Sequence, residues 1–271
     1  MKYIFLDVDG TLIDSFDYAI PQSANEAIIL AKNNGHKVFV CTGRPLSQVK
    51  KLDLNLFDGV ICSAGAYVEK NNNVVFQRIM NNDEIKQIVN TLHKYNLNYI
   101  LEGKYSNYYL ENGVDDFMSM FRMYDPNMSW DEMVSNLCLS SMSDLKDDSV
   151  FKITFYTNKK SIIQQVEEEL KDNYQMIYTE HDEGQMMEIE IMFNDCNKAE
   201  GIKKLIEHDN ILLSDTIGIG DSMNDYEMIQ ECGIGIAMGN ACEQLKSVSN
   251  MITDSVSDDG IYKAFKKLEL F

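Results

Sequence analysis

The chain has 271 residues, of which 45% are hydrophobic, and its 43 acidic and 24 basic side chains give a formal net charge of −19. So acidic a chain is not expected to bind nucleic acid or an anionic membrane, because both partners require clusters of lysine and arginine. No stretch approaches the ~18 apolar residues of a membrane span and no secretion signal is evident, so a cytoplasmic location is expected.

The first eighty residues alternate short apolar runs with a helical pattern. Ile4–Leu6 predicts a buried strand, and "SANEAIILAKNNG" predicts a helix that is capped by Ser23. Val38–Cys41 and Val60–Cys62 predict two more buried strands, and the asparagines at 71–73 predict a hairpin turn.

The middle of the chain, from about residue 82 to about residue 187, has a different order of elements. A helix, two strands, helices, a strand, a helix and two strands are predicted in succession. The segment "MEIEIMF" alternates strictly, which is typical of an antiparallel strand with one exposed face. This segment therefore reads as an α+β insertion.

After the insertion the earlier pattern returns. "TIGIGD" and "GIGIAMG" predict two further buried strands, and "DDGIYKAFKKLEL" predicts a closing helix. Strands that alternate with helices form parallel sheets with right-handed crossovers. The predicted fold class is α/β, with a discontinuous core at 1–81 and 188–271 flanked by helices and an α+β domain inserted at 82–187.

Polar residues follow several of the predicted core strands. The carboxyl ends of parallel strands lie on one edge of a sheet, so residues that are distant in sequence converge there. The residues expected at this edge are Asp7 and Asp9 after the first strand, Thr42-Gly43-Arg44 after the second, "GDSMND" from Gly220 to Asp225 after the fourth, and Lys198 at the start of the helix after the insertion.

This set of side chains suits one kind of chemistry. The carboxylates of Asp7, Asp9 and Asp221 would repel one another unless a cation lay among them, and hard oxygen ligands suit Mg²⁺. Thr42, its neighbouring backbone amides and Lys198 are donors that suit a phosphoryl group. A metal, donors and a carboxylate together are the requirements for phosphoryl transfer.

The segments "DVDGTL" and "TGR", the later lysine and "GDSMND" resemble, in this order, the four motifs of the haloacid dehalogenase-type phosphatase superfamily. About 30 residues separate Asp9 from Thr42, and about 130 separate Gly65 from Lys198, so a cap domain fits only between the second and third motifs. An α+β cap in this place is similar to that of the Cof-like sugar-phosphate phosphatases. The resemblance implies a Rossmann-like core and a cap that closes over a small phosphorylated metabolite.

The resemblance also implies the role of each matching residue. Asp7 would be the nucleophile that forms an aspartyl-phosphate, and Asp9 the general acid and base. Mg²⁺ would be held by the Asp7 carboxylate, the Asp9 backbone carbonyl and Asp221. The phosphate or substrate ligands would be Thr42, Gly43, Arg44, Lys198 and Asn224, with Gly10 and Asp225 in supporting positions. The alternatives for Arg44 are contact with solvent or with a carboxylate.

The chain departs from the Cof-like pattern at Ala64, where an asparagine is usual. One alternative is a phosphomutase of the phosphomannomutase type, which binds a second phosphate best through arginines of the cap. The chain has only three arginines, Arg44, Arg78 and Arg122, which favours hydrolysis. A second alternative is a non-catalytic metabolite-binding relative. A monomer or weak homo-oligomer is expected.

Overall fold

The structure is a computed structural model, which describes residues 1–14, 19–121, 127–181 and 186–271. Arg122 lies outside the described residues. The backbone divides into two compact units. The core unit comprises Met1–Arg44, Val49–Gln77 and Cys196–Phe271, and the inserted unit comprises Pro45–Gln48 and Arg78–Asp195.

Two sheets account for the described strands. The strands are β1 (Tyr3–Leu6), β2 (Lys37–Cys41), β3 (Gly59–Cys62), β4 (Tyr67–Lys70), β5 (Asn73–Gln77), β6 (Tyr99–Gly103), β7 (Asn107–Tyr109), β8 (Leu139–Ser141), β9 (Val150–Thr157), β10 (Tyr174–His181), β11 (Met186–Phe193), β12 (Thr216–Gly220), β13 (Ile234–Ala237) and β14 (Met251–Ile252).

The helices vary widely in length. They are α1 (Gln22–Asn33), α2 (Leu46–Val49), α3 (Asn82–Lys94), α4 (Val114–Phe121), α5 (Trp130–Leu137), α6 (Lys160–Leu170), α7 (Lys198–Asp209), α8 (Tyr226–Glu231), α9 (Glu243–Val248) and α10 (Gly260–Lys267). None of the described helices combines the length and the apolar character that crossing a membrane requires.

The core unit is built on an eight-stranded sheet in the order β14-β13-β12-β1-β2-β3-β4-β5. The strands from β14 to β3 are parallel, and β4 and β5 continue the sheet antiparallel. Ile4, Phe5 and Leu6 of β1 are fully buried, because strands of a parallel sheet are covered on both faces. The predicted α/β fold class is confirmed.

The centre of this sheet is the point where the chain reverses its direction of travel across the strands. From β1 the chain moves to β2 and β3 on one side, and it returns after the insertion to β12 on the other side. Open α/β sheets bind ligands at such a switch point, outside the carboxyl ends of the strands. Asp7 and Asp221 directly follow the two strands that meet there.

Two local predictions near these strands have different outcomes. The predicted hairpin turn is confirmed, because Asn71 and Asn72 both have the left-handed backbone that such turns require. The predicted cap at Ser23 is wrong, since α1 starts one residue earlier and Pro21 occupies the capping position. Proline has its φ already fixed and can precede a helix directly, so Ser23 lies inside the first turn.

The inserted unit carries a six-stranded sheet in the order β10-β11-β9-β6-β7-β8. Its pairs are antiparallel except for β7 and β8, which run parallel. The strands predicted between 82 and 187 correspond to β6, β7, β9, β10 and β11. The short β8 has no counterpart among the predictions, because three residues with two serines carry no strand periodicity.

A buried ionic cluster lies on this sheet. The Lys152 ammonium group contacts the carboxylates of both Glu102, at 3.2 Å, and Glu190, and the Thr154 hydroxyl donates to Glu102. Burial raises the pKa of Glu102 to about 7, with Lys152 opposing this shift and Glu190 adding to it. One lysine therefore serves two carboxylates, and the cluster holds an excess negative charge at neutral pH.

We expect Glu102→Gln to stabilise the protein at pH 8 and to leave it unchanged at pH 4. The folded pKa of Glu102 is raised, so the wild type loses free energy of unfolding as the pH rises from 4.5 to about 7. Glutamine does not titrate, so the gain is about 1–3 kcal/mol above pH 7. Urea denaturation at several pH values measures it, and a gain that is equal at pH 4 and pH 8 would contradict the assignment.

Candidate active site

The loop after β1 brings Asp7 into the sheet edge and leaves Asp9 at the surface. The Asp7 amide donates to the carbonyl of Ile219 at 3.0 Å, which extends the pairing of β1 with β12 by one residue. Asp7 is buried, whereas 51% of the Asp9 side chain is exposed. The two carboxylates of this motif therefore lie in different environments.

Gly10 lets this loop approach Asp221. Its φ of +75° lies in the left-handed region, and a Cβ atom added there would lie 2.3 Å from Oδ2 of Asp221. Any side chain at this position would therefore displace the Asp221 carboxylate as well as strain the backbone.

We expect Gly10→Ala to lower the free energy of unfolding by about 2–3 kcal/mol, because the steric clash adds to left-handed strain of roughly 1–2 kcal/mol. Gly35→Ala is the matched control, since Gly35 has a φ of +86° and no described residue other than its chain neighbours comes within 4 Å of the added Cβ. The control should lose about 1 kcal/mol and keep its activity. Equal losses of stability and activity in both variants would contradict the role of the clash. Urea denaturation and a turnover assay measure the two quantities.

Asp225 organises the loop that follows β12. Its Oδ2 atom accepts the backbone amides of Asp221 and Ser222, both at 3.0 Å, and its Oδ1 atom accepts from Lys198 at 2.5 Å. The side chain is completely buried. Both of its oxygens are thus committed to protein donors, so Asp225 acts as a support for its neighbours.

Lys198, the first residue of α7, has no solvent-exposed side-chain surface and points among three acceptors. Its ammonium nitrogen lies 2.6 Å from Asp7 Oδ1, 2.5 Å from Asp225 Oδ1 and 2.9 Å from Asn224 Oδ1. Burial lowers the pKa of Lys198, but Asp225 and Asp7 outweigh it, so the pKa lies well above its usual value. The lysine therefore stays charged.

The carboxylates at this edge fit a small hard cation. Asp7, Asp221 and Asp225 place one oxygen each within 4.8 Å of one another. Burial and then the negative charge of Asp225 raise the pKa of Asp7 well above its usual value, and the same two causes raise that of Asp221 to about 6. A divalent cation would relieve this repulsion, and Asp7 and Asp221 are better able to bind it than Asp225, whose two oxygens already accept three hydrogen bonds.

The loop after β2 contributes a second group of polar atoms. The Thr42 hydroxyl is buried and accepts the Arg44 amide at 3.1 Å. Gly43 faces Asn224, whose Nδ2 lies 3.7 Å from the position of a Cβ at residue 43. Arg44 makes a two-pronged ion pair with Asp9, with Nε 2.7 Å from Oδ2. In the structure, Arg44 contacts a carboxylate.

Comparison with known proteins identifies the family. A model of the haloacid dehalogenase-like hydrolase family matches residues 4–265. The chain belongs to this family. YkrA of Bacillus subtilis (strain 168) is 29% identical over 275 residues, which cover 99% of this chain and 98% of that protein. The 5-amino-6-(5-phospho-D-ribitylamino)uracil phosphatase YcsE of the same organism is 27% identical over 270 residues, covering 98% of this chain and 95% of that protein.

A solved structure agrees with these relatives. The haloacid dehalogenase subclass IIB sugar phosphatase BT4131 has a TM-score of 0.80 and 25% identity, with 100% of both chains covered. The predicted Cof-like, haloacid dehalogenase-type resemblance and the predicted enzyme class, a hydrolase of this type, are therefore confirmed.

Ala64 is the position where this haloacid dehalogenase-like chain departs from the Cof-like pattern. It is buried and left-handed, with φ 50° and ψ 44°, a conformation that asparagine adopts more readily than alanine. The Ala64 amide donates to the carbonyl of Thr42 at 3.0 Å, and the Ser63 amide donates to that of Arg44 at 2.9 Å. The backbone of this loop therefore supports the loop after β2.

Three residues have side chains that contact the predicted site residues, although none of the three has a role of its own among the sequence-based predictions. The Thr11 hydroxyl donates to Asp221 Oδ1 at 3.0 Å, and the Ser222 hydroxyl donates to Asn224 Oδ1 at 2.9 Å. The Asn240 amide contacts Asp221 from the loop after β13. Asn240 follows a predicted core strand, so the rule that found Asp7 and Asp221 would also have found it.

Proposed function

We propose that this hydrolase is a Mg²⁺-dependent phosphatase that cleaves small phosphomonoesters through an aspartyl-phosphate on Asp7. The observation that carries the proposal is the convergence of Asp7, Lys198 and Asp221 at the switch point of the sheet. Asp7 supplies a buried carboxylate, Lys198 a fixed ammonium group beside it, and Asp221 a carboxylate suited to binding a cation. This arrangement suits phosphoryl transfer, in which positioning and charge neutralisation dominate catalysis.

The proposed reaction has two steps, and each step forms one bond to phosphorus and breaks another. An Asp7 carboxylate oxygen attacks phosphorus, the bond to the leaving oxygen breaks, and Asp9 donates a proton to that oxygen. Asp9 then takes a proton from water, the water oxygen attacks phosphorus, and the acyl-phosphate bond breaks to release inorganic phosphate. The exposure of Asp9 supports this role, because its carboxyl group must exchange protons with the leaving group and with water.

The Asp7 carboxylate, the Asp9 backbone carbonyl and the Asp221 carboxylate would hold Mg²⁺. When bound, Mg²⁺ supplies positive charge that neutralises the phosphoryl oxygens and orients them for in-line attack. Asp225 would support these groups without binding Mg²⁺ itself, because its oxygens accept hydrogen bonds from the Asp221 amide and from Lys198.

The remaining polar groups would bind the phosphoryl oxygens. Asn224 Oδ1 accepts from both Lys198 and Ser222, so its Nδ2 donor is directed away from them and toward Gly43. Thr42, the Gly43 amide, Lys198 and the Asn224 Nδ2 group would together supply the donors. Arg44 would hold the Asp9 carboxylate and bind substrate once that ion pair opens.

The substrate proposed is a small phosphorylated metabolite such as a sugar phosphate, in a cytoplasmic setting. YcsE, named for a ribityl phosphate substrate, and the sugar phosphatase BT4131 support this class. The net charge of −19 supports a small ligand over nucleic acid or a membrane surface. A monomer or weak homo-oligomer remains the proposed state.

The test is phosphate release from p-nitrophenyl phosphate and from a panel of sugar phosphates, with Mg²⁺ and with EDTA. We expect release that requires Mg²⁺. Conversion of a hexose 1-phosphate to its 6-phosphate without release would instead identify a phosphomutase, and metabolite binding without turnover would identify a non-catalytic relative. Either result would overturn the proposal.

A further inference from the structure

Asn240, in the loop after β13, bridges two loops of the core unit. Its Nδ2 atom lies 2.8 Å from the carbonyl oxygen of Gly10 and 3.4 Å from Oδ2 of Asp221. Both neighbours are acceptors without hydrogens to give, so the NH₂ group and not the carbonyl oxygen of the amide must face them. The two hydrogens of this one group serve one acceptor each.

The two acceptors belong to the segments that supply the proposed metal ligands. Gly10 directly follows Asp9, whose backbone carbonyl is a proposed ligand, and Asp221 is another. The second oxygen of Asp221 accepts the Thr11 hydroxyl at 3.0 Å. Each oxygen of this carboxylate therefore has its own donor, from two different loops, and rotation of the carboxylate would break one contact or both.

We propose that Asn240 is a positioning residue for the divalent cation, which fixes the Asp221 carboxylate and the turn at Gly10 relative to each other. The inference rests on the proposed function, because it takes Mg²⁺ to be the cation. Residues that orient metal ligands commonly change metal affinity by about 10- to 100-fold when they are replaced. Asn240 is exposed, so we expect an effect at the lower end, about 10-fold.

The experiment is titration of the full-length protein with Mg²⁺ by calorimetry, for the wild type and Asn240→Ala. Asn250→Ala is the matched control, because Asn250 also lies near β13 but accepts the Gly235 amide, at 2.6 Å. Asn240→Ala should raise the Kd for Mg²⁺ by about 10-fold, with little change in the Tm of the metal-free protein. The control should lower that Tm and keep the Kd within about twofold, since the bond it loses supports a strand.

A second variant and a kinetic readout separate positioning from folding. Thr11→Val keeps the volume of a buried residue and removes the other donor to Asp221, so it should also weaken Mg²⁺ binding. In both variants the Mg²⁺ concentration for half-maximal rate should rise while kcat at saturating Mg²⁺ is recovered. An unchanged Kd for Mg²⁺ in Asn240→Ala would overturn the inference about Asn240 and would leave the proposed function standing. A wild type that binds no Mg²⁺ would overturn the proposed function and the inference with it.

Discussion

Asp7→Asn should lower kcat for p-nitrophenyl phosphate by on the order of 10⁴-fold or more, as removal of a covalent nucleophile does in other hydrolases. The substitution keeps the volume of the side chain and an oxygen that accepts from Lys198, and it removes the carboxylate that is both the proposed nucleophile and a proposed Mg²⁺ ligand. Asp14→Asn, an exposed change a few residues along the chain, should keep full activity.

The free energy of unfolding of Asp7→Asn tests whether this variant is folded. Burial and the charge of Asp225 raise the pKa of Asp7, so ionising this carboxyl group costs more free energy in the folded, metal-free protein than in the unfolded chain. Asp7→Asn should therefore have at least the wild-type free energy of unfolding in EDTA, measured by urea denaturation. An inactive variant with this stability would support the assignment of Asp7 as the nucleophile. A folded variant with more than a few per cent of wild-type activity would exclude that assignment.

Lys198→Met should lower the free energy of unfolding in EDTA by about 3–5 kcal/mol, because removing one partner of a buried ion pair leaves charge uncompensated. The charges left are Asp7 and Asp225, with Asp221 close by. The same variant should lose most of its phosphatase activity. Urea denaturation with and without Mg²⁺ measures the stability, and Mg²⁺ should restore part of it.

The controls for this prediction use a surface pair and a compensating change. Lys37→Met removes a partly exposed ion pair with Asp58 in the same unit, and should cost no more than about 1 kcal/mol. Adding Asp225→Asn to Lys198→Met should recover stability, because the buried excess charge falls by one. Equal costs for Lys198→Met and Lys37→Met would show that the buried cluster does not depend on its lysine.

The sequence predicts the parallel core and the meeting of its polar residues because both follow from one rule. Apolar runs separated by helices require a parallel sheet, and polar residues after such runs must meet at its edge. Lys198 and Asp7 are separated by 191 positions along the chain, yet their side chains are hydrogen-bonded. The topology alone accounts for this proximity.

Other contacts depend on the paths of loops and the order of strands, which the hydrophobic periodicity of the sequence does not predict. The position of the Asn240 amide against Gly10 and Asp221 depends on the path of one loop, which no alternation of residues encodes. The alternation of "MEIEIMF" predicts a strand with one exposed face. Glu190 instead faces Lys152 within the sheet, because strand order, and not the strand's own sequence, decides its neighbours.

The position of β1 has a consequence for how the chain folds during synthesis. This strand precedes the other described strands, but one of its two neighbours, β12, is made more than 200 residues later, with Tyr3 opposite Thr216. Contacts that span so much of the chain form slowly, whereas the strands between 99 and 193 pair with closer partners. We therefore expect the inserted unit to fold on the ribosome first, and β1 to stay without its central partner until β12 has been made.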